Sequence, residues 1–193
     1  WGPVSDKSVV SGLVDSLGYL WPGIEEVYAN STPHAAEIEA REQIQQAIRS
    51  GIDVTHLDSH MGTLQYDSGY HGVYLKLALE YDLPIRVASA ATLDAFGMTD
   101  RRARIAAAGI VFPDYLIHDQ KRDGETTRKY WKRIVTELEP GVTELYIHPA
   151  RESDALKRMT NHWKARVDEY GLFTNDPEMV SLLEENEVIL IGW

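Results

Sequence analysis

Apolar residues recur at helical spacing in the segment that follows Thr32 and Pro33. A threonine hydroxyl can cap a helix, and proline is favoured in the first helical turn. The apolar positions that recur every three or four residues are Ala36, Ala40, Ile44, Ala47 and Ile48. Gly51 follows where a helix commonly ends. The pattern therefore predicts a helix whose charged residues form a solvated face: Glu37, Glu39, Arg41, Glu42 and Arg49.

Similar spacing predicts further helices along the chain. They cover residues 5–20, 70–81, 93–108, 125–138, 153–170 and a last segment that starts at Asp176. The Trp-Pro-Gly sequence at 21–23 is expected to end the first of these helices, and Gly171 the fifth. In the basic helix over 93–108, the residues expected to point outward are Arg101, Arg102 and Arg104. In the helix over 125–138, those expected to point inward are Tyr130, Ile134, Val135 and Leu138.

Short apolar runs lie between the predicted helices and indicate β-strands. A β-branched run opens residues 53–62 and predicts a strand that is buried at its start. Other runs cover residues 85–88, 114–119, 144–148 and 188–191, the last as a buried closing strand. Because strands alternate with helices, the sequence predicts an α/β fold with a mostly parallel sheet, in a single domain over residues 1–193.

The composition narrows the classes of partner. The chain has 193 residues, of which 44% are hydrophobic and 25% charged, and a net charge of -11. This charge argues against nucleic acid or an anionic membrane as partner, and no apolar run approaches the roughly 20 residues of a membrane span. Cysteine is absent, which excludes disulfides and cysteine nucleophiles and suits a cytoplasmic protein. A neutral sugar or small amide fits this charge better as a substrate than a polyanion does. A homo-oligomer is a possible assembly that the sequence does not decide.

Residues 53–62 carry a dense group of metal-capable side chains. His56, Asp58 and His60 follow the predicted strand within five positions. Burying such groups without partners is costly, because each needs its polar atoms satisfied. Since α/β proteins place their sites at the C-terminal ends of strands, these residues predict a functional site there. The alternative is a polar junction between strand and loop with ordinary surface histidines.

The local sequence at this point is more specific than its spacing. Residues 55–60, Thr-His-Leu-Asp-Ser-His, resemble the signature of the YdjC-like (chitooligosaccharide deacetylase-like) carbohydrate deacetylases, and residues 61–63 stand where many members have further histidines. Residues 140–150 are similar to the family's Glu-Leu-x-x-His-Pro segment, with Ala150 where glycine is usual. The resemblance implies a distorted TIM-like (β/α) barrel with mostly parallel strands. These residues look like the C-terminal three quarters of such a domain, without its first strand or strands.

The resemblance also implies roles for individual residues. His60 would be a ligand of a divalent metal, Mg²⁺ or Zn²⁺, and His148 would be the general acid. His56 and Asp58 would orient ligands or substrate. Arg86, inside a predicted strand, would contact substrate, and the alternative is a structural ion pair.

Parts of the family's site have no counterpart in the sequence. In the family, an Asp-Asp pair on the first strand supplies a metal ligand and the catalytic base, and an upstream histidine is another ligand. Neither occurs in this sequence, so the metal site is not expected in its normal form.

His118 and Asp119 would contact substrate or form a capping pair at a loop. Arg166, in a helix similar to one in the family, is expected to brace the rim of the site.

The expected function is metal-assisted removal of N-acetyl groups from amino sugars or short oligosaccharides, with a small acetylated sugar as the partner. His60 and His148 are expected to face each other across the site. One alternative is a non-catalytic carbohydrate-binding or structural domain that has lost the metal site. Another is a different metal-dependent hydrolase on the same scaffold, because a fold does not fix a reaction.

Overall fold

The computed structural model describes residues 1–117 and 121–193. These residues form two compact units, one of Trp1–Pro113 together with Trp193 and one of Asp114–Gly192. Each unit has its own hydrophobic core, built from two clusters of buried residues in the first unit and one in the second. The single domain over residues 1–193 stays a prediction.

Helices dominate both units. In the first unit the helices are α1 (Ile24–Asn30), α2 (Pro33–Arg49), α3 (Ser68–Tyr81), α4 (Ala90–Ala95) and α5 (Arg101–Ala107), with 3-10 turns at Ser11–Leu13 and His60–Gly62. In the second unit the elements are β1 (Tyr115–Ile117), α6 (Thr127–Thr136), β2 (Thr143–Leu145), α7 (Asp154–Met159), α8 (Trp163–Asn175) and α9 (Pro177–Glu185). Among the described residues, no helix is both long and apolar enough to cross a membrane.

Helix α2 confirms the prediction from the apolar spacing. The Thr32 hydroxyl accepts a hydrogen bond from the Ala35 N–H at 3.2 Å, and Pro33 occupies the first turn. Ala36 and Ile44 are buried, as their spacing requires. Gly51 follows the helix with φ +79°, a left-handed conformation that glycine adopts without steric cost.

Glu39 was expected on the solvated face of α2, and that prediction was wrong. Only 4% of the residue is exposed. Its Oε1 accepts from the Val4 N–H at 2.8 Å and its Oε2 from the Ser5 N–H at 2.9 Å, while Gln43 Nε2 donates to Oε1 at 2.8 Å. Burial acts to raise the pKa of Glu39, but the hydrogen bonds from Gln43, Val4 and Ser5 outweigh it and hold the pKa below its ordinary value. The carboxylate thus attaches the first residues of the chain to α2.

The largest core cluster of the first unit forms around α3, which the sequence predicted closely. Tyr74, Leu77 and Ala78 of this helix are almost fully buried. They belong to the same cluster as Ile85 and Val87, in the extended segment after the helix. At roughly 1.5–3 kcal/mol for each large apolar side chain removed from water, this cluster is a principal source of stability for the unit.

Two extended segments of the first unit pair in parallel at Leu57 and Ile85. The Leu57 N–H donates to the Pro84 carbonyl at 2.9 Å, and the Arg86 N–H donates to the Leu57 carbonyl at 3.0 Å. The Ile85 N–H donates to the Val111 carbonyl at 3.0 Å, which attaches a third segment.

The strand predictions for this unit were therefore too long. The segments that begin at residue 53 and at residue 85 share one parallel bridge rather than a full ladder. The buried part of the first segment also lies later than predicted. Residues 51–53 are exposed, whereas Leu57 is buried where it meets Ile85. A strand needs a backbone partner as well as an apolar pattern, and the partner starts only at Pro84.

Two helix predictions in the first unit were wrong. Residues 5–20 contain only the turn at Ser11–Leu13, and α1 begins directly after the Trp-Pro-Gly sequence that was expected to end a helix. The helix over 93–108 is divided into α4 and α5, because Gly97 (φ +71°) and Asp100 (φ +61°) adopt left-handed conformations that interrupt it.

Arg102 was also expected to point outward and instead points into the unit. Its Nη1 donates to the Ala88 carbonyl at 3.0 Å and its Nη2 to the Pro113 carbonyl at 2.7 Å. The guanidinium carbon also lies 4.7 Å from the centroid of the Phe112 ring, a cation–π contact.

The second unit contains a small parallel sheet. β1 and β2 pair with Tyr115 opposite Thr143 and Ile117 opposite Leu145. β1 lies inside the predicted run 114–119, whereas β2 begins one residue before the predicted run 144–148 and covers only its first two residues. Helix α6 buries Tyr130, Trp131, Ile134 and Val135, three of which the sequence predicted. The core cluster around them includes Leu172 of α8 and Met179 of α9.

Two predictions failed toward the end of this unit. The helix over 153–170 is two helices, α7 and α8, and α8 continues through Gly171 to Asn175. The predicted closing strand at 188–191 is exposed, with 83% of Ile189, 78% of Leu190 and 69% of Ile191 accessible. No strand is present there among the described residues. Parallel pairing in both units gives an α/β fold with a small sheet, and the closed TIM-like barrel stays a prediction.

We expect Glu39→Gln to lower the free energy of unfolding by about 1–3 kcal/mol, because the amide would turn a donor toward one of the two backbone N–H groups. Glu42→Gln on the same helix should change it by less than about 0.5 kcal/mol, since its ion pair with Arg49 lies at the surface. Urea denaturation of the three proteins at neutral pH measures both.

The difference in the free energy of unfolding between wild type and Glu39→Gln should also depend on pH. The lowered pKa of Glu39 means that its stabilisation is fully present above its ordinary value of 4.5 and is lost as the pH falls through the folded value. The gap between wild type and Glu39→Gln should therefore narrow below about pH 4.5. A stability difference that is constant with pH, or equal losses of stability in Glu39→Gln and Glu42→Gln, would contradict the role of the Glu39 carboxylate as a buried acceptor.

Candidate functional site

The signature residues alternate between core and surface. Leu57 and Ser59 are buried, whereas Asp58 and His60 are exposed. This is the alternation of an extended segment, whose successive side chains point to opposite sides. The pairing with the segment at Pro84 determines which side chains face the core, so Asp58 and His60 are presented to solvent.

Buried polar side chains hold this segment and its neighbour in place. Tyr74 Oη donates to the Leu57 carbonyl at 2.7 Å and lies 3.2 Å from the Arg86 carbonyl oxygen. Gln65 Oε1 accepts from the Ala88 N–H at 2.8 Å, just beyond the same segment. Sequence reasoning identified neither residue, because Tyr74 looks like an ordinary core aromatic and Gln65 like a loop residue.

A tight turn ends the signature at His60–Gly62. Met61 has φ +58°, a strained conformation for a non-glycine residue, and 59% of it is exposed. Gly62 has φ +75°, and a Cβ placed on it would lie 2.8 Å from Tyr66 Oη and closer still to the ring carbons. Tyr66 is itself stacked on Phe96 at 4.3 Å. A histidine at position 62, one of the three positions (61–63) where the family resemblance implies further histidines, therefore has no space here.

An ion pair joins the two extended segments beside the turn. Arg86 Nη1 lies 2.7 Å from Asp58 Oδ2, with 19% and 37% of the two side chains exposed. The structural ion pair that the sequence left open for Arg86 is thus present. A guanidinium carries five N–H donors, so this pair does not by itself prevent Arg86 from contacting a ligand. Burial, and secondly the negative charge of Asp58, raises the pKa of the Tyr66 hydroxyl nearby.

The two signature histidines each contact a tryptophan. The His56 ring stacks on Trp193 with 4.6 Å between centroids and 13° between planes, and its Nδ1 lies 3.0 Å from Thr55 Oγ1. The exposed His60 ring meets Trp1 edge-on at 6.3 Å. His56 is therefore held by its neighbours more firmly than His60, whose imidazole is open to a ligand.

His148 of the second unit follows β2 and is exposed. Its backbone N–H donates to Glu169 Oε2 at 2.8 Å, and its ring lies edge-on to Tyr146 at 5.8 Å. Arg166, which the sequence analysis expects to brace the rim, contacts this segment through its backbone carbonyl, which accepts from the Ala150 N–H at 3.0 Å. Glu169 was missed, although its position three residues before the buried Leu172 on α8 signalled an inward-facing carboxylate.

The described residues do not fit a complete metal centre. Within residues 1–117 and 121–193, no three His, Asp or Glu side chains lie close enough together to hold a metal ion. His118 and Asp119 lie outside the described residues. His60 is thus a single candidate ligand rather than part of an assembled set.

His71 is a further histidine that sequence reasoning did not identify. Only 1% of it is exposed, on α3. Neither ring nitrogen has a hydrogen-bond partner within the described part of the chain. Burial, and secondly the charge of Arg101, lowers the pKa of His71 to about 4, so the ring is neutral at pH 7. Its helical phase with Tyr74 and Ala78, both buried, places it in the core rather than at the site.

Comparison with known proteins identifies relatives of the whole chain. The family model of YdjC-like proteins matches residues 1–185. A carbohydrate deacetylase of Thermoanaerobacter pseudethanolicus is 28% identical over 191 residues, which cover 99% of this chain and 72% of that protein. A carbohydrate deacetylase of Enterococcus faecalis is also 28% identical, over 197 residues that cover 99% of this chain and 71% of that protein.

One solved structure supports the fold. The crystal structure of an Enterococcus faecalis protein, described provisionally as a cellobiose-phosphate cleavage protein, superposes with a TM-score of 0.79 at 23% identity. The match covers 99% of this chain and 71% of that one. At this identity the likeness establishes the α/β fold alone.

The turn at Gly62 gives a prediction with a matched control. Gly51→Ala places a Cβ on a residue with similar positive φ but with no atom within 4 Å, whereas Gly62→Ala also meets the Tyr66 ring. We expect both variants to be less stable than wild type, and Gly62→Ala to lose about 1–3 kcal/mol more because of the overlap. Chemical denaturation measures the difference, and equal losses would show that Tyr66 does not constrain the turn.

Proposed function

The chain belongs to the YdjC-like protein family, and on this premise we propose that it is a carbohydrate deacetylase that hydrolyses the N-acetyl group of an amino sugar or short oligosaccharide. The observation that carries the proposal is the presence, in one chain, of two family-like segments that each present an exposed histidine, His60 and His148. The relatives named carbohydrate deacetylases match nearly the full chain, which supports the same reaction class.

Hydrolysis of an acetamide needs a polarised carbonyl, an activated water and a proton for the departing amine. We assign the proton transfer to His148, whose imidazole donates to the amine nitrogen of the sugar as the C–N bond breaks. The exposed ring is accessible to a ligand, while its backbone is held by Glu169. Pro149 restricts the backbone of the preceding residue and so limits the directions that the ring can take.

Substrate contacts are assigned to the other side chains near the signature. Arg86 and Asp58 form an ion pair that can offer both donors and acceptors to sugar hydroxyl groups. His56, stacked on Trp193, takes a supporting role because its ring is already engaged. These groups suit a neutral, hydroxyl-rich ligand and agree with the net charge of -11, which disfavours a polyanion.

A divalent ion, Mg²⁺ or Zn²⁺, is part of the proposal through the family resemblance, with His60 as one ligand. The described residues do not supply a full ligand set. The roles assigned to His148 and Arg86 therefore do not depend on a bound ion. The TIM-like barrel is a proposal as well, and the parallel pairing at Leu57 and between β1 and β2 supports it.

A second candidate is a carbohydrate-binding or structural domain without catalysis. The observation that favours it is the missing cluster of three metal ligands among residues 1–117 and 121–193. The two functions differ in one result, since the binding domain would take up an acetylated sugar without releasing acetate.

The His variants test the proposal. His148→Ala should lower the rate of acetate release from an N-acetylated amino-sugar oligomer by roughly 100-fold or more, with metal content unchanged, because it removes only the proton donor. His60→Ala should reduce the metal bound per chain. His34→Ala is the control, since this histidine is exposed at the start of α2 and outside both segments. Acetate is measured by NMR and metal by elemental analysis of the same samples. Equal metal loss in the His60 and His148 variants would contradict these roles.

A further inference from the structure

Glu169 joins three separate parts of the second unit. It lies on α8, and its two carboxylate oxygens accept hydrogen bonds from two different partners. Oε2 accepts from the backbone N–H of His148 at 2.8 Å, and Oε1 accepts from Trp131 Nε1 on α6 at 3.2 Å. A carboxylate that accepts two N–H bonds is fixed in both position and orientation.

The anchor on the α6 side is rigid. Trp131 is 3% exposed and belongs to the buried cluster of the unit. Its ring packs edge-on against Phe173 of α8 at 5.1 Å and against Tyr130 at 4.9 Å. Because the indole cannot move without disturbing this core, one oxygen of Glu169 is held in place, and the other oxygen is thereby directed at the segment that follows β2.

Helix α8 binds every backbone N–H of the His-Pro-Ala segment. The His148 N–H is taken by Glu169, Pro149 has no N–H, and the Ala150 N–H donates to the Arg166 carbonyl at 3.0 Å. The next residue, Arg151, donates through Nε to Tyr170 Oη at 2.8 Å. The segment is exposed at His148 and Pro149 yet has its backbone donors fully satisfied, which marks it as an ordered surface feature rather than a loose loop.

We propose that Glu169 is a positioning residue for His148: its carboxylate fixes the backbone from which the imidazole projects and so sets the direction of that ring. This inference rests on the proposed function, in which His148 is the proton donor. The bond to the backbone acts on orientation rather than on substrate, so Glu169 affects the rate of the chemical step and leaves substrate binding largely unchanged.

A purely structural role would give a different pattern of effects. If Glu169 only joined α6 to α8, its loss would lower stability without changing the environment of the His148 ring or the turnover of the folded protein. A positioning role requires that the ring environment and the turnover change together while the protein remains folded.

The experiment compares Glu169→Gln with Asp168→Asn. The first variant keeps the shape of the side chain but turns an NH₂ group toward one of the two N–H donors, and the second removes the same charge at the neighbouring exposed position of α8. For Glu169→Gln we expect kcat for acetate release to fall roughly 10- to 100-fold, with KM within about 3-fold of wild type. Asp168→Asn should match wild type in both constants.

Histidine-ring and amide NMR spectra provide a readout that is independent of activity. In Glu169→Gln, the backbone amide signal of His148 should move upfield with loss of the charged acceptor, and its ring signals should shift or broaden while those of His34 stay unchanged. Far-UV circular dichroism and the thermal midpoint confirm that both variants are folded.

The outcomes separate the two proposals. Shifted His148 signals with reduced kcat support positioning. Unchanged signals and unchanged kcat in folded Glu169→Gln overturn it, as does a loss of stability alone. If wild type releases no acetate, the proposed function fails, whereas the His148 signals still decide whether Glu169 orients that residue.

Discussion

The parallel pairing of Leu57 with Ile85, held by the hydroxyl of Tyr74, determines what the first unit presents to solvent. Side chains of an extended segment alternate, so fixing the backbone at one residue fixes the side on which all its neighbours lie. A shift by one residue would bury Asp58 and His60 and expose Leu57. The buried tyrosine prevents this because its hydroxyl has its acceptor at the Leu57 carbonyl.

In both units, polar side chains from outside the strands also bind backbone N–H groups beside the candidate site residues. Gln65 binds Ala88, just beyond the Arg86 segment, and Glu169 binds His148 itself. Each acceptor comes from a partly or fully buried position, and each bond satisfies a backbone donor that no strand partner takes. Side-chain acceptors thereby take the place of the backbone hydrogen bonds that longer strands would form.

The sequence predicted best what depends on neighbouring residues. Helix α2 followed from the Thr32 cap and its apolar spacing, and α3 and α6 from theirs. Burial of Glu39 could not be predicted, because its donors at Val4 and Ser5 lie about 35 residues away. The composition of the apolar run 188–191 predicts a strand, yet pairing depends on a partner that composition does not reveal. At the site, the ion pair of Arg86 is the structural alternative that the sequence left open. Glu169 could be found only from the fold, because it accepts its hydrogen bond from the backbone N–H of His148, 21 residues away.

Product analysis of wild type tests the proposed reaction most directly. The chain is incubated with an N-acetylated amino-sugar disaccharide, and proton NMR measures acetate and free amino sugar together, with O-acetylated and phosphorylated disaccharides in parallel. The deacetylase account predicts acetate and amine in equal amounts from the N-acetylated sugar. Saturable binding without acetate would contradict it and favour the binding domain, and cleavage only of the ester or phosphate would contradict it in favour of another hydrolase.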